Sequence, residues 1–226
     1  MIKAVLFDLD NTLINFRAMK NNAAEAAIRA MIDSGLKLEH KEATKLLFEM
    51  YEEYGIENQL IFNKFIKKVT GKVDYKMLAN AIVAYRKAKQ NLVVPYPRVR
   101  STLVRLKERG LKLGIVSDAP RLSAWIRLAE MNLADFFDVV ITLGDSKKFK
   151  PFPTSFRKAL RGLNLAPQEV LFVGDNPERD VKGAKALGMH TCLAKYGQVF
   201  FSDKAEKADY EIRNIKAIVG IVRKHK

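Results

Sequence analysis

A chain of 226 residues, 48% of them hydrophobic, is long enough for one large core plus a smaller second domain and too apolar for a disordered protein. The formal net charge of +15 favours anionic partners such as phosphorylated metabolites or nucleic acid. The basic residues are spread along the whole chain and mixed with glutamate, however, which reads as a solvated lysine-rich surface rather than a nucleic-acid arm. The single cysteine, Cys192, excludes an intramolecular disulfide and suits a reducing cytoplasm. No apolar run is long enough to span a bilayer, and Met1 leads almost directly into the first strand, so neither a membrane span nor a signal or transit peptide is predicted.

Ile2, Ala4, Val5, Leu6 and Phe7 read as a buried parallel strand that ends in Asp8-Leu9-Asp10-Asn11-Thr12. From about residue 17 to residue 90 the pattern is helical, with no proline and apolar residues at helical spacing. Turn signals at Asp33-Ser34-Gly35, Tyr54-Gly55 and Thr70-Gly71 divide it into about four helices. Pro95 and Pro97 mark the return to alternating elements. A helix over Val99–Arg109 is stopped by Gly110, and the strand Leu111–Val116 follows. A helix from Arg121, the strand Val139–Thr142, and a helix carrying Phe156, Leu160 and Leu163 come next. The strand Val170–Val173, a helix near Val181–Leu187 and a last strand His190–Ala194 complete the pattern. The expected class is α/β: a doubly wound, Rossmann-like parallel-sheet core formed by residues 1–14 and 95–226, with an all-helical domain inserted at 15–94.

Four strand ends carry polar signals: Asp8-x-Asp10-x-Thr12, Ser117-Asp118, Lys150-Pro151-Phe152-Pro153 and Gly174-Asp175-Asn176-Pro177-Glu178-Arg179-Asp180. In a doubly wound sheet such ends converge on one crevice. Two like charges about 4 Å apart repel by roughly 4 kcal/mol at an effective dielectric of about 20, so up to four carboxylates there need cationic compensation. Oxygen donors alone suit Mg²⁺. His40, His190 and His225 lie far apart in sequence and offer no zinc-type cluster with Cys192. Such a site suits a phosphate monoester, with Lys150 and Mg²⁺ neutralising its charge and Ser117 donating a hydrogen bond.

These four motifs, in this order and spacing, resemble the haloacid dehalogenase superfamily of phosphohydrolases, over essentially the whole chain. The helical insert after the first motif resembles the cap of one of its subfamilies, which implies a mobile lid that selects the substrate. The resemblance implies that Asp8 attacks phosphorus and that Asp10 acts as general acid and then base. It implies metal binding by Asp8, the Asp10 backbone carbonyl, Asp175 and Asp180, and phosphoryl binding by Ser117 and Lys150. Asn11 and Thr12 shape the loop after the nucleophile and join Ser117, Asp118 and Lys150 in the substrate-binding set. Relatives often carry asparagine where Asp118 stands; an acid there is expected to bind a substrate hydroxyl or to pair with Arg121. The implied protein is a cytoplasmic, Mg²⁺-dependent phosphatase for a small phosphorylated metabolite, a monomer or weak homo-oligomer with no nucleic-acid or membrane partner. The competing activities are a phosphomutase, a haloacid dehalogenase, which has no use for Asp10, and a non-catalytic basic nucleic-acid-binding protein.

Outside the motifs, Trp125 and the aromatics Phe48, Tyr51, Tyr54, Phe62, Phe65 and Tyr85 are expected to be packing residues. Asp180 is a candidate helix N-cap as well as a ligand. Cys192 is expected to be a buried small residue, and Arg223–Lys226 a solvated terminus.

Overall fold

A computed structural model describes residues 1–202 and 205–225 of the chain. In chain order the elements are β1 (Ala4–Phe7), α1 (Phe16–Asp33), α2 (His40–Tyr54), α3 (Ile61–Thr70), α4 (Tyr75–Gln90), α5 (Val99–Lys107), β2 (Lys112–Val116), α6 (Arg121–Glu130), β3 (Val139–Ile141), α7 (Leu143–Ser146), α8 (Thr154–Leu163), β4 (Val170–Gly174), α9 (Lys182–Lys185), β5 (His190–Ala194), β6 (Tyr210–Ile212) and α10 (Ile218–Lys224). The strands form one sheet in the order β3-β2-β1-β4-β5-β6, every neighbour pair parallel. All residues of β1 and β4 are buried, as expected for central strands covered on both faces. The chain runs from β1 to β2 on one side and later to β4 on the other, so the order reverses at β1, where open α/β sheets form their crevice. Register aligns the ends: Phe7 lies opposite both Ile115 and Val173, which brings Asp8, Ser117 and Asp175 out along the same edge.

One face of the sheet is covered by α8, whose Phe156, Ala159, Leu160 and Leu163 pack with Leu6, Val170 and Phe172. The rings of Phe156 and Phe172 meet edge to face at 5.0 Å. Compactness divides the chain into two units, Met1–Asn15 with Val94–Lys226, and Phe16–Val93. The second unit consists of α1 to α4 around its own core of Met31, Leu47, Phe65, Ile66 and Leu78. Its elements end where local chemistry dictates. Gly71 takes a left-handed φ of 81° and its N–H returns to the Lys67 carbonyl, and Asp74 caps α4 by accepting from the Met77 N–H at 3.0 Å. Both chain crossings between the units are tied together within the first unit. Ile14 forms an antiparallel bridge with Pro95, and the Tyr96 N–H donates to the Leu13 carbonyl at 2.8 Å.

Several local expectations need correction. His190–Ala194 is not the last strand: β6 adds a sixth, and the Lys195 N–H donates to the Ile212 carbonyl at 2.9 Å. Three residues with only Ile212 buried give no readable apolar run. Trp125 is not a packing residue but 42% exposed, and Tyr54 is 40% exposed, whereas Tyr51, Phe62 and Phe65 are buried. His225 is not simply solvated. It meets the Tyr210 hydroxyl at 2.5 Å, and its ring lies tilted against the His190 ring at 4.8 Å, which sequence distance had separated from it. Lys226 lies outside the described residues. Among the described residues no helix is long and apolar enough to cross a membrane.

Cys192 is buried in β5, and burial, with Glu211 nearby, pushes its thiol up to about 12. A disulfide reagent at pH 8 should therefore leave the native protein unlabelled and titrate one thiol per chain once guanidinium unfolds it. Rapid labelling of the native protein would contradict this packing.

Candidate active site

The loop after β1 begins with Asp8, whose backbone N–H is still held by the Val173 carbonyl of β4 at 2.9 Å. The carboxylate is buried and engaged on both oxygens. Lys150 Nζ lies 2.6 Å from Oδ1, and the Thr12 hydroxyl donates to Oδ2 at 3.3 Å. Thr12 is itself fully buried, and its carbonyl accepts from the Tyr196 hydroxyl at 2.8 Å. Between them Asn11 adopts a left-handed φ of 61°. Gly197 packs so closely on the Asn11 carbonyl that a Cβ there would overlap it, so the segment after β5 braces the loop that carries Asp8.

Lys150 is the centre of charge. Its Nζ also lies 2.6 Å from Asp180 Oδ1 and donates to the Val116 carbonyl at 3.1 Å. Burial opposes its charge, but Asp180, Asp8 and Asp118 outweigh that and hold its pKa above the ordinary lysine range. One oxygen from each of Asp8, Asp175 and Asp180 falls within 4.8 Å of the others, and all three residues are buried. Among the described residues Asp175 Oδ2 has no hydrogen-bond partner. Burial, reinforced by Asp180 and Asp8, pushes the Asp175 carboxyl up to about 9, and burial likewise pushes Asp8 up to about 7 against the pull of Lys150. One ammonium does not satisfy three buried carboxyls. An orphaned buried oxygen in an all-oxygen donor set fits a hard divalent cation.

The fourth motif is shaped by a wide π-type turn over Pro177–Val181. Asn176 caps it, accepting from the N–H groups of Glu178 and Arg179, so the capping role considered for Asp180 belongs to Asn176. Asp180 instead turns back to accept from the Asn176 N–H at 3.0 Å through Oδ2. A Cβ on Gly174 would overlap the Asp180 carboxyl. Gly174→Ala should therefore displace that carboxylate from Lys150 and reduce turnover by about tenfold or more. Steady-state kinetics together with a melting curve check this, and unchanged turnover would remove Asp180 from the site.

Ser117 is buried, and its oxygen accepts from the Ala119 N–H at 3.1 Å, which leaves its proton to donate. Asp118 uses both oxygens within the protein. Oδ1 accepts from the Lys150 N–H at 2.9 Å and Oδ2 faces Arg179 Nη1 at 3.4 Å. Its partner is thus Arg179 and not Arg121, which pairs with Asp145. Asp118 links the second, third and fourth motifs. Two residues escaped the sequence reading. Arg127, buried on α6, donates from Nη1 to Asp10 Oδ2 at 3.0 Å. Its signal was a charge at an apolar position of the stripe Ala124, Arg127, Leu128. Tyr196 carried no signal in its immediate neighbours.

A family model described as haloacid dehalogenase-like hydrolase matches residues 5–194. The chain belongs to this family. It is 35% identical to a glyceraldehyde 3-phosphate phosphatase of Methanocaldococcus jannaschii, over 99% of this chain and 98% of that one. It is 30% identical to a pyrophosphatase PpaX of Bacillus thuringiensis, over 98% and 96%. A crystal structure of a HAD phosphatase from Thermococcus onnurineus superposes with a TM-score of 0.68 at 28% identity, covering 98% of each chain. The haloacid dehalogenase-like chain described here is accordingly a phosphatase-type hydrolase, and the buried acids and Lys150 lie at the carboxyl edge of its sheet.

Proposed function

We propose that the protein is a Mg²⁺-dependent phosphatase acting on a small phosphorylated metabolite, with the phosphoryl group passing through Asp8. The observation that carries this reading is the position of Lys150 Nζ, 2.6 Å from both Asp8 and Asp180 in a trio of buried carboxylates. Asp8, Asp175, Asp180 and the Asp10 carbonyl would hold the ion. When bound, Mg²⁺ neutralises these carboxylates and the charge of the phosphoryl oxygens.

The chain's own residues account for the remainder. Thr12 and Lys150 fix the Asp8 carboxylate for in-line attack, so a bond forms from its oxygen to phosphorus as the ester oxygen leaves. Asp10 gives a proton to that departing oxygen, then takes one from the water that hydrolyses the aspartyl-phosphate, releasing phosphate and restoring Asp8. Ser117 and Lys150 donate to the phosphoryl oxygens as charge builds on them. Asn11 shapes the loop around Asp8, and Asp118 acts by holding the Lys150 backbone and Arg179. The lone buried thiol supports placing this reaction in the cytoplasm, by a monomer or weak homo-oligomer that acts on small molecules rather than on nucleic acid or a membrane.

The relative named for glyceraldehyde 3-phosphate makes a three-carbon phosphorylated aldehyde the first substrate to test, and the PpaX relatives add pyrophosphate. A panel of these two with sugar phosphates, phosphoglycolate and mononucleotides should give phosphate release that requires Mg²⁺. Full activity in excess EDTA, or none on any ester, would overturn the proposal.

A further inference from the structure

The steps above leave Arg127 without a task. It sits on the buried face of α6 with Ala124 and Leu128, and its side chain is 3% exposed. A guanidinium is costly to bury, and a leucine or methionine would pack this helix face more favourably unless the charge has a purpose. Its purpose is visible in its partner. Nη1 reaches Asp10 Oδ2 at 3.0 Å, across 117 residues of sequence. The loop after β1 thus presents two carboxylates, and a buried cation meets each: Lys150, shared with Asp180, at Asp8, and Arg127 at Asp10.

The two cations differ in kind. Lysine is a point charge on a flexible stem, which suits neutralising a nucleophile and a phosphoryl group. Arginine is a rigid planar fork that fixes the direction of the carboxylate it binds. We propose that Arg127 is a positioning residue for proton transfer, aiming the Asp10 carboxyl through its contact with Oδ2. In the first step the Asp10 O–H bond breaks as the new O–H bond forms on the leaving oxygen, and the resulting carboxylate faces Arg127. In the second step that carboxylate takes a proton from water. This inference rests on the acid/base role proposed for Asp10.

The leaving group supplies the test. An alkoxide needs a proton to depart, whereas p-nitrophenolate does not, so a misaimed general acid slows the two esters unequally. In Arg127→Met, kcat/KM, which reads only the step in which the leaving group departs, should fall by about 30- to 100-fold on glycerol 3-phosphate and by about threefold at most on p-nitrophenyl phosphate. Arg127→Lys should keep the charge but lose the aim, and fall between wild type and Met on the alkyl ester. In an Asp10→Asn background, Arg127→Met should add less than about twofold, because nothing remains to be positioned. Equal losses of kcat/KM on both esters, no loss on either, or full additivity with Asp10→Asn would reduce Arg127 to a structural ion pair and overturn the inference. A separate failure, Asp10→Asn lowering kcat/KM equally on both esters, would instead overturn the general-acid reading on which it rests.

Discussion

Asp8→Asn should abolish turnover while leaving the protein folded, and Lys150→Met should abolish both. The contrast follows from how the charges are shared. Lys150 lies 2.6 Å from Asp180 as well as from Asp8, so removing the Asp8 charge leaves the ammonium with a carboxylate partner. The Asp8→Asn protein is expected to melt within a few degrees of wild type, and to lose at least about 10³-fold in kcat because the atom that attacks phosphorus is gone. Removing Lys150 instead leaves Asp8 and Asp180 buried with no ammonium between them. Breaking a buried ion pair from one side costs about 3–5 kcal/mol, which is a large share of a typical domain's stability. Paired melting curves and p-nitrophenyl phosphate kinetics read both effects. Residual wild-type turnover in Asp8→Asn would exclude it as nucleophile. A Lys150→Met protein as stable as wild type would mean that these carboxyls are neutral in the folded state without it.

Cation-free protein should lose stability as pH rises from about 5 to 9, and Mg²⁺ should remove that slope. Asp175 and Asp8 are pushed up to about 9 and about 7 in the folded state, well above an unfolded aspartate near 3.8. Between those limits the folded chain keeps protons that the unfolded chain has released. Stability changes with pH as the difference in protons bound, unfolded minus folded, and here that difference is negative. The destabilisation is absent below the unfolded pKa, grows through the neutral range and is complete once pH exceeds the folded value of Asp175. Each fully mismatched proton contributes at most about 1.4 kcal/mol per pH unit. A divalent ion takes the place of those protons and stabilises the folded state by mass action. The gap in Tm between MgCl₂ and EDTA should therefore widen steadily from pH 5.5 to pH 9. In Asp175→Asn both the slope in EDTA and the Mg²⁺ gap should shrink. A gap that is constant with pH, or no gap at all, would argue against a cation among these acids.

What the sequence made legible, and what it concealed, follows the range of the interactions. Asp8, Lys150, Asp175 and Asp180 stand at or just beyond the ends of apolar strands, and the parallel topology alone is enough to bring such ends together. The four helices of Phe16–Val93 were legible from their period and turn residues. β6 was not, because three residues with one buried side chain resemble any loop and its partner is set by tertiary contact. Arg127 was concealed by distance, since its one local signal, a charge in the stripe Ala124, Arg127, Leu128, does not name a partner 117 residues away. Asp118 shows the converse error. Arg121, three residues away, was the obvious partner, but it pairs with Asp145, and Asp118 reaches Arg179, 61 residues on. The cap at Asn176 was missed because a π-type turn shifts the usual spacing between a capping side chain and the acid that follows it.

The bridge between Ile14 and Pro95 closes the α/β unit's own loop before the helical insert begins. In the language of chain topology the insert is a side branch sprung from a stapled pair of ends, not a link that the sheet depends on for its closure. Doubling the length of such a branch adds only about 0.6 kcal/mol of closure entropy. The same acid cluster can therefore carry inserts of very different size. Residues 15 and 94 are accordingly the natural seams at which to graft a foreign helical module and ask what it changes.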